Sequence, residues 1–457
     1  MREHWQTLSA ARRAGTLLGL AGLAGGWAAG MPALGLALLA ICWWTAEPVP
    51  VDYSSLLILV LIPAFGLLTL PQTLAPFAGS AVWLIFAGMV LSLGITATGL
   101  EAHLAGLALR RLGRSPGLLL LQLHLLGLAA AFLVPSGVVR VLLLLPIGIA
   151  LVDGLGGRDN PRLNAAVLLS LVCSTYYGGT GLLTGAMPNL VVAGQLERVS
   201  GRTLFWGEWC QWMFPVMGLL RTALSLGVIY LLFGRHLPRS LRSATSPPHK
   251  PLDPTQRQVL GLLVLGVGLW ASDALHHLAP VYVGLVLVAL YTAPGWGPLP
   301  FASLRQLNFP FLFYIAALFS LGAALEAAGL DQIFITWVRP WLELEAHSPV
   351  YQHLALTVLA VPLNFLMDNA AVASLLTPPL LELGRGLGLA ELPIALSVGM
   401  AAGQVFFPYQ CAPFMLAYSF RRLGMGQIAV CMIAIAGLTL LLLCPLNVWY
   451  WHWLGLI

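Results

Sequence analysis

Charge is what this 457-residue chain has least of: Asp, Glu, Lys and Arg make up 9% of it, against 59% hydrophobic residues. A soluble domain carries about 25% charged residues, so a soluble enzyme, a disordered chain and a charge-laced coiled coil are excluded. The ~10-residue alternating segments of a transmembrane barrel are missing too; the apolar runs are long and continuous. The six cysteines (Cys42, Cys173, Cys210, Cys411, Cys431, Cys444) form no C-x-x-C pair. That leaves no metal-cluster spacing, and they read as small buried apolar residues. There is no H-E-x-x-H, and Asp368 is the one acid deep in an apolar run, so an intramembrane enzyme lacks its catalytic pair. The net charge of +5 is spread over short loops and forms no basic patch for nucleic acid.

What is present is apolar length. A bilayer span takes roughly 20 apolar residues, and many runs punctuated by Pro, Gly or charge follow one another along the chain. The pairs 116–134 with 138–155, and 350–366 with 371–389, are each interrupted by a polar tip. They read as re-entrant hairpins, since unwound backbone at membrane depth is tolerated where protein buries it or it lines a cavity. The fold class expected is an all-α polytopic membrane protein, with about eleven transmembrane helices and two re-entrant hairpins. The positive-inside bias puts Arg2, Arg12 and Arg13, hence the N-terminus, in the cytoplasm, with Arg110, Arg111, Arg114, Arg158, Arg162, Arg305, Arg421 and Arg422. Arg198, Arg202, Arg339 and Arg385 fall outside. The basic start, Met1 to Gly15, precedes an apolar run without a convincing small-residue cleavage site, so an uncleaved first span is expected. Trp449, Tyr450 and Trp451 read as an interfacial aromatic anchor.

The chain also echoes itself. Trp83 to Gly94, followed by Thr98-Gly99-Leu100, recurs as Phe311 to Gly322, followed by Ala328-Gly329-Leu330, 228 to 230 residues on. The tips Ser136-Gly137 and Asp368-Asn369 are 232 residues apart. The division expected is 1–44, an N-terminal cytoplasmic end and first spans; 45–235, a first repeat with hairpin 116–155 and broken helix 163–194; 236–257, a cytoplasmic linker; and 258–457, a second, inverted repeat with hairpin 350–389 and broken helix 392–418. Inverted repeats with interrupted helices in matching positions point to a secondary transporter with its site where the interruptions meet.

Four polar interruptions carry the chemistry: Val134-Pro135-Ser136-Gly137 with Arg140, Tyr177 to Asn189, Met367-Asp368-Asn369-Ala370, and Gly403 to Pro413. Broken helices expose carbonyls for a cation and helix N-termini for an anion. Arg140, Arg221 and Asp368 are ionisable at membrane depth, and such residues are functional candidates by default. Asp368 is expected to hold a cation or a proton and Arg140 to help hold an anion; the competing expectation is that Arg140 pairs with Asp368 or with backbone. Arg221 has no evident partner in the sequence. Glu47, Asp52, Glu101 and Glu326 near span ends, and His124 on a hairpin arm, read as structural. The pair His276-His277 is too little for a metal site.

At these motifs the chain resembles the divalent anion–sodium symporter family, whose members carry dicarboxylates, citrate or sulfate. Thr45-Ala46-Glu47-Pro48-Val49-Pro50, Trp83 to Leu100, and Gly178-Gly179-Thr180 through Pro188-Asn189 carry the likeness. Family tips read Ser-Asn-Thr; here they read Ser136-Gly137-Val138 and Asp368-Asn369-Ala370. The resemblance implies an inverted-repeat homodimer working by an elevator motion; together with the polar interruptions and the charge of Arg140 at membrane depth it gives a candidate substrate site at Ser136, Gly137, Arg140, Thr184, Pro188, Asn189, Asn369 and Pro413. Sodium is expected at Ser136, Gly137, Gly178, Gly179, Asp368, Asn369 and Gly403, with Asp368 entering from its own charge at the tip, where the family carries a neutral serine. The function expected is sodium-coupled symport of small divalent anions in the cell inner membrane, with lipid around it and no cofactor beyond Na+ or H+. The alternative is a proton-coupled or exchange-type permease of the same fold with a non-dicarboxylate substrate.

Overall fold

The computed structural model describes residues 9–100, 103, 115–238 and 251–457. Arg2, Glu101, Arg110, Arg111, Arg114 and most of the linker lie outside the described residues. Among the described residues every regular element is helical: the chain is an all-α polytopic membrane protein. It opens with α1 (Ala10–Ala28), α2 (Pro32–Ala46), α3 (Val51–Ala64) and α4 (Ser80–Thr98). The first hairpin is α5 (Pro116–Leu133) and α6 (Gly137–Gly154). Next come α7 (Pro161–Thr180), α8 (Met187–Ser200) and α9 (Trp206–Met213), the last running through a π-helical turn, Phe214–Leu220, into α10 (Arg221–Leu232). After the linker stand α11 (Pro254–Ala271), α12 (Pro280–Tyr291), α13 (Phe311–Ala327) and α14 (Leu330–Leu342). The second hairpin is α15 (Pro349–Ala360) and α16 (Asn369–Arg385), followed by α17 (Glu391–Ala402) and α18 (Ala412–Ser419). The chain ends with α19 (Met425–Leu438) and α20 (Cys444–Trp453), joined by a second π turn.

Local chemistry sets these boundaries. Ser115 and Asn160 cap α5 and α7, each followed by proline, a start signal because proline lacks the amide that would be orphaned there. Asp253 and Gln256 close a capping box on α11. Five helices are long and apolar enough to cross a membrane by themselves: Ser80–Thr98, Pro116–Leu133, Gly137–Gly154, Trp206–His236 and Met425–Trp453. A sixth results if α13 and α14, bent by 74°, make one span. The expected eleven therefore have to include shorter helices such as Pro32–Ala46, Val51–Ala64, Pro280–Tyr291 and Glu391–Ala402. Helices α7 and α17 end at the breaks, and α8 and α18 begin there, so the crossings at these places are made of two shorter pieces.

Helices in lipid gain nothing by hiding apolar faces from one another, so close contact of small residues does more of the packing. Helix α7 is the clearest case: from Leu163 to Thr180 every residue is buried, and it packs against α5, α6 and α10. A side chain at Gly127 on α5 would run into Ser174 of α7, and one at Gly148 on α6 would stand 2.8 Å from Leu168 and Leu171. In the other half α16 packs on α8 and α17, and α13 packs on α3 and α16. Outward faces are apolar, with Leu125, Val264, Tyr282 and Leu441 exposed, as a lipid-facing surface requires.

Candidate functional site

In the first hairpin, α5 gives way to Val134-Pro135-Ser136, and α6 restarts with the Ser136 hydroxyl accepting from the Val139 amide at 3.4 Å. Arg140 follows one turn later, 1% exposed. Its Nη1 donates to the Val134 carbonyl at 2.5 Å and its Nη2 to the Gly185 carbonyl at 2.6 Å. One guanidinium thus ties the tip of the hairpin to the first helix break, where α7 ends and α8 has not begun. Its Nε finds no protein acceptor.

The break, 181–186, is held open by side chains. Asn189 Nδ2 reaches the carbonyls of Gly179, Thr180 and Leu182 at 3.4, 3.1 and 2.8 Å. Trp209 donates to the Thr180 carbonyl at 3.2 Å, and Trp206 donates to the Thr184 hydroxyl at 3.1 Å. The glycines answer close approach: a Cβ at Gly179 would stand 2.6 Å from the Gly185 oxygen, and one at Gly181 would stand 2.6 Å from the Gly218 Cα. Gly178 packs instead against Leu128 of α5.

The second tip is built differently. Asp368 caps α16, its Oδ1 accepting from the amides of Ala370 and Ala371 at 2.7 and 2.9 Å. Its Oδ2 accepts from the Tyr314 hydroxyl on α13. Asn369 donates to the Tyr176 hydroxyl at 3.0 Å, and Tyr176 in turn donates to the Gly403 carbonyl at 3.5 Å. Just before the tip, Asn364 donates to the Ala401 carbonyl at 2.8 Å and its own carbonyl accepts from Gln410. In the second break, 403–411, Arg221 Nη2 donates to the Gly403 carbonyl at 3.1 Å and to Gln404 Oε1 at 2.9 Å. The Arg221 guanidinium lies 4.4 Å over the ring of Tyr177, a cation–π contact.

The two halves interleave at these breaks. A Cβ on Gly137 would meet Pro413 Cγ of α18 at 3.2 Å and Arg140 Nη2 at 3.5 Å. Of the residues singled out in the sequence, Ser136, Gly137, Arg140 and Pro413 gather at the first tip, and Asp368, Asn369 and Gly403 gather round Tyr176. Thr184, Pro188 and Asn189 are buried in the first break, with Asn189 serving its backbone. The direct pairing of Arg140 with Asp368 is not formed: Arg140 satisfies carbonyls, and Asp368 satisfies amides and a phenol. Arg221, expected without a partner, has three. Tyr176, Tyr314, Gln404 and Gln410 escaped notice as site residues. The two glutamines sit inside the fourth polar interruption, which was a signal; the tyrosines sit in apolar runs and gave none.

Helices α8 and α18 begin at the breaks without a side-chain cap, their N-cap residues being Ala186 and Cys411. Free amides, fixed guanidinium groups and acceptor side chains therefore converge between two hairpins and two breaks. Such a convergence of positive groups suits a small polar anion.

Known proteins match this chain over most of its length. The model of the citrate transporter family covers residues 41–399. An uncharacterized transporter of Haemophilus influenzae is 26% identical over 92% of either chain. A sodium-dependent dicarboxylate transporter of Staphylococcus saprophyticus is 22% identical over 88% of this chain and 82% of its own. The L-tartrate/succinate antiporter of Escherichia coli is 25% identical over 81% and 80%. The crystal structure of the YdaH transporter of Alcanivorax borkumensis matches with a TM-score of 0.53 at 17% identity, covering 84% of this chain and 86% of that one, and so shares the fold. By the extent of the family match, the chain belongs to the citrate transporter family and is a multi-pass secondary transporter of carboxylate anions, not an enzyme.

Proposed function

We propose that the chain moves small carboxylate anions by exchange across the cell inner membrane, with alternating access of the cleft between the two hairpin tips. One observation carries the exchange mode: Arg140 donates to the Val134 and Gly185 carbonyls at 2.5 and 2.6 Å. Converging carbonyls at a broken helix are where a coupling cation would bind, and here a tethered guanidinium already neutralises them. Arg221 does the same at the Gly403 carbonyl of the second break. A carrier with fixed cations needs no dissolved one to reload and returns with a second anion. An inverted-repeat homodimer with an elevator motion and a cytoplasmic N-terminus is the frame in which this would operate.

Sodium-coupled symport is the second reading, favoured by the sodium-dependent relative. Purified protein in liposomes separates the two. With unlabelled succinate inside, labelled succinate, tartrate or citrate outside should enter at equal rates in sodium and choline buffers. Entry into empty liposomes that requires an inward sodium gradient would overturn exchange and favour symport.

A further inference from the structure

The two hairpin tips carry opposite charge. The 232-residue offset aligns Ser136 with Asp368, Gly137 with Asn369, and Arg140 with Val372. The first tip therefore has a hydroxyl at its cap and a guanidinium one turn in, while the second has a carboxylate at its cap and an apolar residue one turn in. The difference is built into the hydrogen bonds. At the first tip the Ser136 hydroxyl reaches one amide, at 3.4 Å, and no carboxylate stands there. The Arg140 guanidinium lies beside Gly137 with its buried Nε unpartnered, and the N-terminal end of α6 adds its own positive dipole. At the second tip Asp368 Oδ1 already takes the amides of Ala370 and Ala371, which leaves neither for an anion. Oδ2 takes the Tyr314 hydroxyl. Asn369 Nδ2 gives one of its two hydrogens to Tyr176, and the Asp368 carboxylate gives the second tip its negative charge and acceptor character.

We propose that the site recognises one carboxylate, at the first tip, and a hydrogen-bond donor such as a hydroxyl or carboxamide at the second, with Asp368 acting as the chain's own substitute for a second substrate carboxylate. This rests on the carboxylate-transporter reading and narrows its substrate class. A dianion would place one of its carboxylates against that of Asp368, and like charges juxtaposed without water are strongly disfavoured. A ligand of the same length with a neutral donor end meets the acceptors instead.

Succinate and succinamate test it, because they share a skeleton and differ in one carboxylate turned carboxamide. Competition against labelled exchange in liposomes at neutral pH should show wild-type protein preferring succinamate by about tenfold or more, the scale of one misplaced charge. Asp368→Ser and Asp368→Asn, both good helix caps that keep α16 anchored, should reverse or abolish that preference. Equal or tighter competition by succinate in the wild type overturns the inference, whatever the variants do. So does a wild-type preference for succinamate that survives in both variants. If succinate exchanges well and is preferred, this inference alone falls; if neither compound nor any other carboxylate exchanges, the transporter reading falls with it.

Discussion

Replacing Arg140 with alanine tests the centre of the site. The change removes two charge-assisted hydrogen bonds, to Val134 and Gly185, and leaves two buried carbonyls facing each other across an empty volume. Hydrogen bonds to a charged partner are worth about 1.5–3 kcal/mol each, so the loss sums to about 3–6 kcal/mol in the coupling of hairpin to break. The damage is local, and Trp206 and Trp209, which donate into the same break, provide an intrinsic fluorescence probe of melting. Arg140→Ala should melt clearly below wild type in choline buffer. It should recover part of the difference in sodium, because a small cation can enter between the freed carbonyls and bind them in place of the guanidinium. Exchange in liposomes should follow the same pattern, insensitive to sodium in wild type and sodium-dependent in the variant. A variant that melts with wild type, or melts lower with no difference between sodium and choline, would refute the idea that the guanidinium stands where a cation would bind.

Other outcomes follow from the same geometry. Arg221→Lys keeps the charge but loses the planar stack on Tyr177, worth about 0.5–2 kcal/mol; it should lower the melting temperature modestly and slow exchange, read by the same two assays. Asn189→Ala removes the side-chain donor that three carbonyls share; each keeps a second donor, so the loss is about 0.5–1.5 kcal/mol per hydrogen bond, and the variant should reach the membrane and exchange more slowly than wild type in liposomes. Gly181→Ala would force a methyl to 2.6 Å from the Gly218 Cα, so folded, monodisperse protein should not be recovered on gel filtration. Gly227→Ala, with nothing within 4 Å, should be recovered at wild-type yield and be as stable or up to about 1 kcal/mol more so.

The sequence shows some of this plainly and hides the rest for physical reasons. The hairpins were legible because a polar tip between apolar arms has no other use at that depth, and Ser136 and Asp368 do begin helices. The first break was legible from its glycines and proline, and the second from the run Gly403 to Pro413. Partners were not. Arg140 is paired with a carbonyl 45 residues away and Arg221 with one 182 residues away; backbone carbonyls have no sequence identity, so no pattern marks which will be met. The tyrosines were hidden because a phenol in an apolar run looks like core until its hydroxyl is placed, and Tyr314 matters only because α13 passes the second tip. Where a crossing is made of two pieces joined at a break, hydropathy did not show it, since hydropathy reports composition rather than continuity.

Both guanidinium groups come from the first half of the chain, and this constrains how the cleft can move. Arg140 joins the first tip to the first break, within one half, whereas Arg221 reaches across to the second break and lies over Tyr177, next to the Tyr176 that holds the second tip. A motion that separated α7 and α10 from α17 would break the Arg221 bonds and leave a bare charge in a buried site, at several kcal/mol. A motion that carried α7, α10, α17 and both tips together would leave every one of those bonds intact. Because α13 packs on α3 as well as on α16, such a body moving past it would have to break the bonds from Tyr314 to Asp368 and from the Ser374 hydroxyl to the Leu318 carbonyl. Under the proposed alternating access, displacement past α13 would cost these hydrogen bonds and free the Asp368 carboxylate from Tyr314, whereas separating α7 and α10 from α17 would strand a buried charge.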